Sequence, residues 1–151
     1  MEQKRKIVPP VYLLLTLAAM TGLNYLLPIA QFTFDPYTTY AGIALIAVGI
    51  SIAVVAAGAF WRAGTPVIPF EKSTALVTGG LFRYTRNPMY LGMIVLLLGA
   101  GLTFGSVGSL LPVPLFAWII VRNFIRGEEN FLQEIFGDEY LKYKSKVRRW
   151  L

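Results

Sequence analysis

The chain has 151 residues, 56% of them apolar, a net charge of +6, and neither cysteine nor histidine. That length leaves room for a single domain, 1–151, and the apolar content lies above the soluble range. The missing residue types exclude disulfides, thiolate nucleophiles, the usual general base and most metal sites.

Three stretches carry no formal charge: Ile7 to Phe34, Pro36 to Trp61 and Asn87 to Val121. A helix needs roughly 20 apolar residues to cross about 30 Å of hydrocarbon. The first stretch predicts a transmembrane helix over about 9–27, with Pro9 and Pro10 in its first turn. Its uncharged run is too long for a usual signal core. Pro28-Ile-Ala-Gln also interrupts any clean cleavage site, so a span is expected rather than a cleaved leader. The second stretch predicts a span over about 39–60, with Gly42, Gly49, Ser51 and Gly58 available for close helix contact. Residues Trp61 to Thr85 then form a polar connection, long enough to be either functional or disordered.

The third stretch has 35 residues, about 52 Å as a helix, too long for one ordinary span. Its middle is glycine-rich from Gly99 to Gly108, and Pro112 and Pro114 follow. It therefore reads as a helical hairpin. Helix 3 covers about 88–104, with Asn87 as N-cap and Pro88 in the first position. Helix 4 covers about 112–136 and ends in a left-handed cap at Gly137. Asp138 opens a final helix over about 138–149. Along the tail, Phe131, Leu132, Ile135, Phe136, Tyr140, Tyr143, Val147 and Trp150 recur at three- and four-residue steps among lysines and arginines. That is an interfacial amphipathic pattern, with Tyr140, Tyr143 and Trp150 as membrane-belt residues.

All fourteen Lys and Arg residues fall between Lys4 and Lys6, Arg62 and Arg86, or Arg122 and Arg149. Four spans place those three segments on one side of the membrane, and basic loops are cytoplasmic. The expectation is an all-α integral membrane protein of four transmembrane helices, with a cytoplasmic loop and a C-terminal amphipathic helix. Both termini lie in the cytoplasm, and the membrane expected is a prokaryotic inner membrane. The basic surplus then meets anionic lipid headgroups of the bilayer, not nucleic acid.

Two charged clusters frame the hairpin: Arg83-Tyr-Thr-Arg86-Asn-Pro-Met-Tyr90, and Arg122, Arg126, Glu128 and Glu129. Asn87 and Glu128 are 41 residues apart, with their midpoint in the glycine-rich tip near Val107. In an antiparallel hairpin, positions equidistant from the tip share one depth, so the clusters should face each other at the inner membrane surface. Helix 3 offers unpaired N–H groups and a positive dipole end to an anion. Glu128 and Glu129 suit an ammonium or ribose hydroxyls, although adjacent helical residues point about 100° apart. Tyr84 and Tyr90 offer aromatic faces. Plainer readings stand beside this one: Asn87-Pro88 as an ordinary helix start, Arg86 and Arg126 as interfacial anchors, and the glutamates as a solvated helix face.

The run Leu76-Val-Thr-Gly-Gly-Leu-Phe-Arg-Tyr-Thr-Arg-Asn-Pro-Met-Tyr-Leu-Gly92, with Gly64-Thr-Pro before it and Glu128-Glu-Asn-Phe-Leu-Gln-Glu-Ile-Phe-Gly-Asp-Glu-Tyr-Leu-Lys-Tyr143 after it, resembles the isoprenylcysteine carboxyl methyltransferase family. That family is related to the membrane phospholipid methyltransferases. The resemblance implies S-adenosyl-L-methionine as methyl donor, S-adenosyl-L-homocysteine as product, and no metal. It implies that Tyr84, Arg86, Asn87, Pro88, Tyr90 and Gly92 lie along the cofactor, with Glu128 and Glu129 closing the pocket under a C-terminal lid. Arg122 matches a position where the eukaryotic carboxyl methyltransferases carry a substrate-contacting arginine. Two positions depart from the pattern: Asn87 stands where histidine is usual, and Arg126 where some of those enzymes carry glutamate.

A carboxylate acceptor is nucleophilic at neutral pH and wants a cation, here Arg122 or Arg126. An amine or thiol must lose a proton, to Glu128, Glu129 or a tyrosine. The acceptor expected is membrane-partitioned: the carboxyl of an isoprenylcysteine-like or other lipophilic substrate, or alternatively a phospholipid amine or small thiol. A non-catalytic membrane scaffold that recruits partners through its basic tail is the reading from another class. Transport is disfavoured by the lack of charge inside the helices.

Overall fold

The computed structural model describes residues 8–27, 29–31, 36–66 and 74–151. Most of these are helical, and the described residues form no β-strand beyond an isolated bridge between Gln31 and Ser106. The expectations placed on Lys4 to Lys6, on Asp35 and on the middle of the polar connection lie outside the described residues.

Helix α1 is Pro9–Leu26, entered through an extended Val8 with proline in its first turn. Helix α2 is Pro36–Arg62. It starts earlier than the expected Thr39 because Pro36, with its fixed φ, suits a first turn. After Arg62 the chain turns away at Gly64, whose φ is +63°. A short 3₁₀ turn, Gly80–Arg83, leads into α3, Pro88–Phe104, with the expected bounds.

The hairpin tip differs from its sequence reading. Gly99 and Gly101 lie inside α3, and Gly105 alone makes the left-handed stop, at φ 69° and ψ 24°. Ser106 then accepts from the Ser109 amide and caps a single-turn helix, α4, Val107–Leu110. Helix α5, Pro112–Ile120, passes through a π-turn, Val121–Ile125, into α6, Arg126–Lys146. Within α6, Gly137 has φ 50° and ψ −122°. This is a kink with positive φ, not the left-handed cap expected there, and the final helix ends at Lys146.

Two described helical runs are long and apolar enough to cross a membrane: Pro36–Arg62, and the continuous run Val107–Lys146. Helix α3 is apolar and has 17 residues. The large side chains of α2 that point away from α3, among them Tyr40, Ile43, Val54 and Val55, are exposed.

Helices α2 and α3 share the largest interface in the fold. It is built on glycines spaced seven apart on each helix, Gly42 and Gly49 against Gly99 and Gly92. A Cβ at Gly49 would lie 2.5 Å from the Gly92 carbonyl oxygen, and one at Gly99 would lie 2.6 Å from that of Gly42. Small residues allow backbones this close approach, and dispersion and weak polar contacts then hold the pair. On the other side of α3, the core joins Met20 of α1, Met93 and Leu97 of α3, Val113, Phe116 and Ile120 of α5, and Phe124 and Ile125 of the π-turn.

Gly99→Ala should therefore cost about 1–3 kcal/mol by forcing the helices apart. Gly58, which has nothing within 4 Å of an added Cβ, should accept alanine with a gain of about 0.5–1 kcal/mol. Thermal unfolding in detergent checks both. A Gly99→Ala protein that melts with the wild type would refute the backbone contact.

Candidate functional site

The two charged clusters meet. The Tyr90 hydroxyl on α3 donates to Glu128 Oε1 on α6 at 2.6 Å. Arg86 Nη2, just before α3, stands 3.3 Å from Glu129 Oε1. The equal-depth argument for the hairpin thus describes the fold, although the tip is a helical turn and not a loose glycine loop.

The π-turn decides which residues of α6 face α3. The Arg126 amide donates to the Val121 carbonyl, five residues back. Coming into the turn the buried positions run Phe116, Ile120 and Phe124; leaving it they run Ile125 and Glu129. The extra residue moves the inward register by one, which amounts to about 100° of helix rotation.

Glu129 is 8% exposed and held by two guanidiniums. Arg149 donates from Nε to Oε1 at 2.9 Å and from Nη2 to Oε2 at 2.8 Å, while Arg86 approaches Oε1. The pairing raises the Arg149 guanidinium above its ordinary value, since the charged form is the one Glu129 binds. Arg86 Nη1 also donates to the Tyr140 hydroxyl at 3.3 Å, whereas Arg86 Nε is buried without a partner.

Asn87 does not cap α3 with its side chain, contrary to the sequence reading. Its Nδ2 donates instead to the Arg149 carbonyl at 3.0 Å, and its amide donates to Thr85 Oγ1 at 3.2 Å. The Arg86 amide donates to the Arg148 carbonyl at 3.0 Å. The tail beyond α6 is therefore stitched to the approach to α3.

The tail tyrosines correct the membrane-belt expectation. Tyr140 is buried at 1% exposure, and the Tyr143 hydroxyl donates to the Phe82 carbonyl at 2.7 Å. Burial raises the Tyr140 hydroxyl and, with Tyr140 beside it, pushes Tyr143 up to about 12, so both remain neutral hydroxyls at physiological pH. Trp150 packs against the core.

These groups enclose a cavity. Its polar lining is Arg86, Asn87, Glu128, Glu129, Tyr140 and Tyr143; its apolar lining is Phe60, Ala75, Leu76, Val77, Phe82 and Leu132. The other expected site residues stand elsewhere. Pro88 is buried at the start of α3, and Gly92 packs on Gly49 of α2. Tyr84 is 71% exposed. Arg122 and Arg126 are exposed, Arg122 lying over the Trp118 ring at 5.1 Å. Sequence reasoning from the residues missed Arg149, whose role comes from a tail that leaves its helix at Lys146 and folds back. It also missed the apolar wall, much of which comes from the connection before α3. Among the described residues no three carboxylates gather as a metal site.

Charge and hydroxyls on one side of the cavity, with apolar and aromatic groups on the other, suit a ligand that is zwitterionic or hydroxylated at one end and planar and apolar at the other. The unpartnered Arg86 Nε is a donor for which such a ligand could supply the acceptor.

The family model for phospholipid methyltransferase matches residues 37–139. A protein-S-isoprenylcysteine O-methyltransferase of Schizosaccharomyces pombe is 36% identical over 77 residues, covering 51% of this chain and 33% of that protein. A probable protein-S-isoprenylcysteine O-methyltransferase of Oryza sativa subsp. japonica is 32% identical over 120 residues, 76% of this chain and 61% of that protein. A Haemophilus influenzae protein named only as uncharacterized is 44% identical over 63 residues, 42% of this chain and its own whole length. The chain thus spans from about a third to three fifths of these two methyltransferases. No solved structure matches. With the family match running from the start of α2 into the kinked helix α6, the chain belongs to the phospholipid methyltransferase family.

Proposed function

We propose that this protein is an S-adenosylmethionine-dependent methyltransferase acting on a membrane-partitioned acceptor. The observation that carries the reading is a cavity shared by Arg86 and Asn87 from before α3 and Glu128 and Glu129 from α6, in a chain of this family. The isoprenylcysteine O-methyltransferase relatives favour a lipophilic carboxyl acceptor.

The donor supplies an electrophilic methyl group, and the work left to the protein is positioning and exclusion of water. Arg86 and Glu129 bind the charged end of the donor, and Tyr140 and Tyr143 supply neutral hydroxyls. Phe60, Leu76, Val77 and Phe82 cover its apolar end. Tyr90 orients Glu128 through its hydroxyl, Pro88 and Gly92 fix the start of α3, and Tyr84 stands exposed just before it. Arg122 and Arg126, on the exposed side of the same helical run, are placed to draw in an anionic acceptor. A carboxylate acceptor needs no base.

An amine acceptor is the second reading. It is favoured by Glu128, which faces the cavity and is partnered by the Tyr90 hydroxyl, so that it can take the proton a protonated amine must lose. The exposed apolar surface of α2 fits a bilayer. In this arrangement α1, α2, α3 and the part of the α5-to-α6 run over about 112–136 are four spans of a prokaryotic inner membrane, with the cavity at the cytoplasmic face and both termini inside.

Calorimetric titration with S-adenosylhomocysteine tests the donor site. Micromolar binding is expected, weakened about tenfold or more in Arg86→Gln by loss of a charge-assisted contact. A folded sample with no binding at sub-millimolar concentration would sink the proposal. Radiolabelled methyl transfer to total membrane lipids should give base-labile label if the acceptor is a carboxyl, and stable label if it is an amine.

Because the chain has no cysteine, single substitutions report topology cleanly. An impermeant maleimide applied to intact cells should label Gln31→Cys, and should reach Lys142→Cys only after permeabilisation. Labelling of both from outside would overturn the four-span arrangement.

A further inference from the structure

We propose that Arg149 is a positioning residue of the donor site, and that segment 147–150 is a strap that holds two of the site's lining groups in place instead of a surface tail. The proposal rests on the donor-site reading given above and adds a residue that neither the motifs nor the cavity lining contains.

Three observations carry it. First, Arg149 takes both oxygens of Glu129, at 2.9 and 2.8 Å, whereas Arg86 approaches one oxygen at 3.3 Å. A planar two-point fork sets the plane of a carboxylate, which a single contact does not. Second, the Arg149 carbonyl accepts from both Asn87 Nδ2 and Thr85 Oγ1, each at 3.0 Å. One residue thereby orients a cavity group from each of the two clusters, Glu129 by its side chain and Asn87 by its main chain. Third, Arg149 is held from both sides in the chain. Val147 is extended, at φ −119° and ψ 129°, and releases the chain from α6; the Arg148 carbonyl accepts from the Arg86 amide; Trp150 is packed against the core.

Arg149 does not line the cavity itself. It acts through Glu129 and Asn87, so its loss should weaken donor binding without removing a ligand contact.

The test is titration of chain 1–151 in detergent with S-adenosylhomocysteine, comparing wild type with four variants. Arg149→Gln should weaken binding about tenfold or more while the number of sites per chain is unchanged. Arg149→Lys should recover part of the loss, because it restores the charge but not the fork. Thr85→Val, which keeps Arg149 and Glu129 but removes one anchor of the strap, should cost about threefold. Lys142→Gln, on the exposed side of α6, should match wild type.

A purely structural role gives a different signature: fewer sites per chain with an unchanged dissociation constant. That result, or wild-type affinity in Arg149→Gln, overturns the proposal. If Arg149→Gln does not fold, wild-type affinity in both Arg149→Lys and Thr85→Val overturns it equally. Failure of the wild type itself to bind is a separate outcome, which removes the donor-site reading and this proposal together.

Discussion

A carboxylate withdrawn from water must be compensated or it will not stay there, and Glu129 imposes that requirement on this fold. The idealised cost of burying an isolated ion far exceeds the stability of a small domain, so the group persists only with close cations and satisfied oxygens. Arg86 supplies one cation from the approach to α3, and Arg149 supplies the other from the far side of α6. Three chain segments distant in sequence thus converge on one side chain. The cavity is the space left beside that convergence.

The geometry upstream serves the same point. Backbone contact between α2 and α3 through paired glycines sets those two helices at a short separation. It places Phe60, at the end of α2, against Phe82, with ring centroids 5.4 Å apart. Those two rings form part of the apolar side of the cavity. The π-turn then performs the complementary adjustment on the α5–α6 run, advancing the inward register by one residue so that Glu129 faces α3. A straight α-helix through Val121–Ile125 would carry the glutamates around by about 100°. The distortion and the acidic pair belong together.

Glu128 and Glu129 divide their work along the same lines. Adjacent helical residues cannot meet one partner, and they do not: Glu128 is met by the Tyr90 hydroxyl from within α3, and Glu129 by guanidiniums at its edge. Each closes the cavity from a different angle. Glu128 pairs with a neutral hydroxyl while Glu129 pairs with two cations, so the charge beside Glu128 is the less neutralised.

Long uncharged runs, proline at helix starts and glycine at stops are local signals. They set the bounds of α1 and α3 and the meeting of Arg86 and Tyr90 with the twin glutamates, because a turn midway between two segments brings them side by side. The Arg-Asn-Pro and Glu-Glu motifs were legible for the same reason, being contiguous. What only the tertiary structure decided were features of packing between segments. Asn87 has the chemistry of a cap but bonds to the Arg149 carbonyl instead. Tyr140 and Tyr143 have the spacing of a membrane belt but turn inward. Arg122 and Arg126 share a cluster with the glutamates, yet both stand exposed outside the cavity. A side chain's type and period state what it can bind. Which partner it meets depends on the close approach of other helices and on a one-residue register shift, and neither of these is a property of the local sequence.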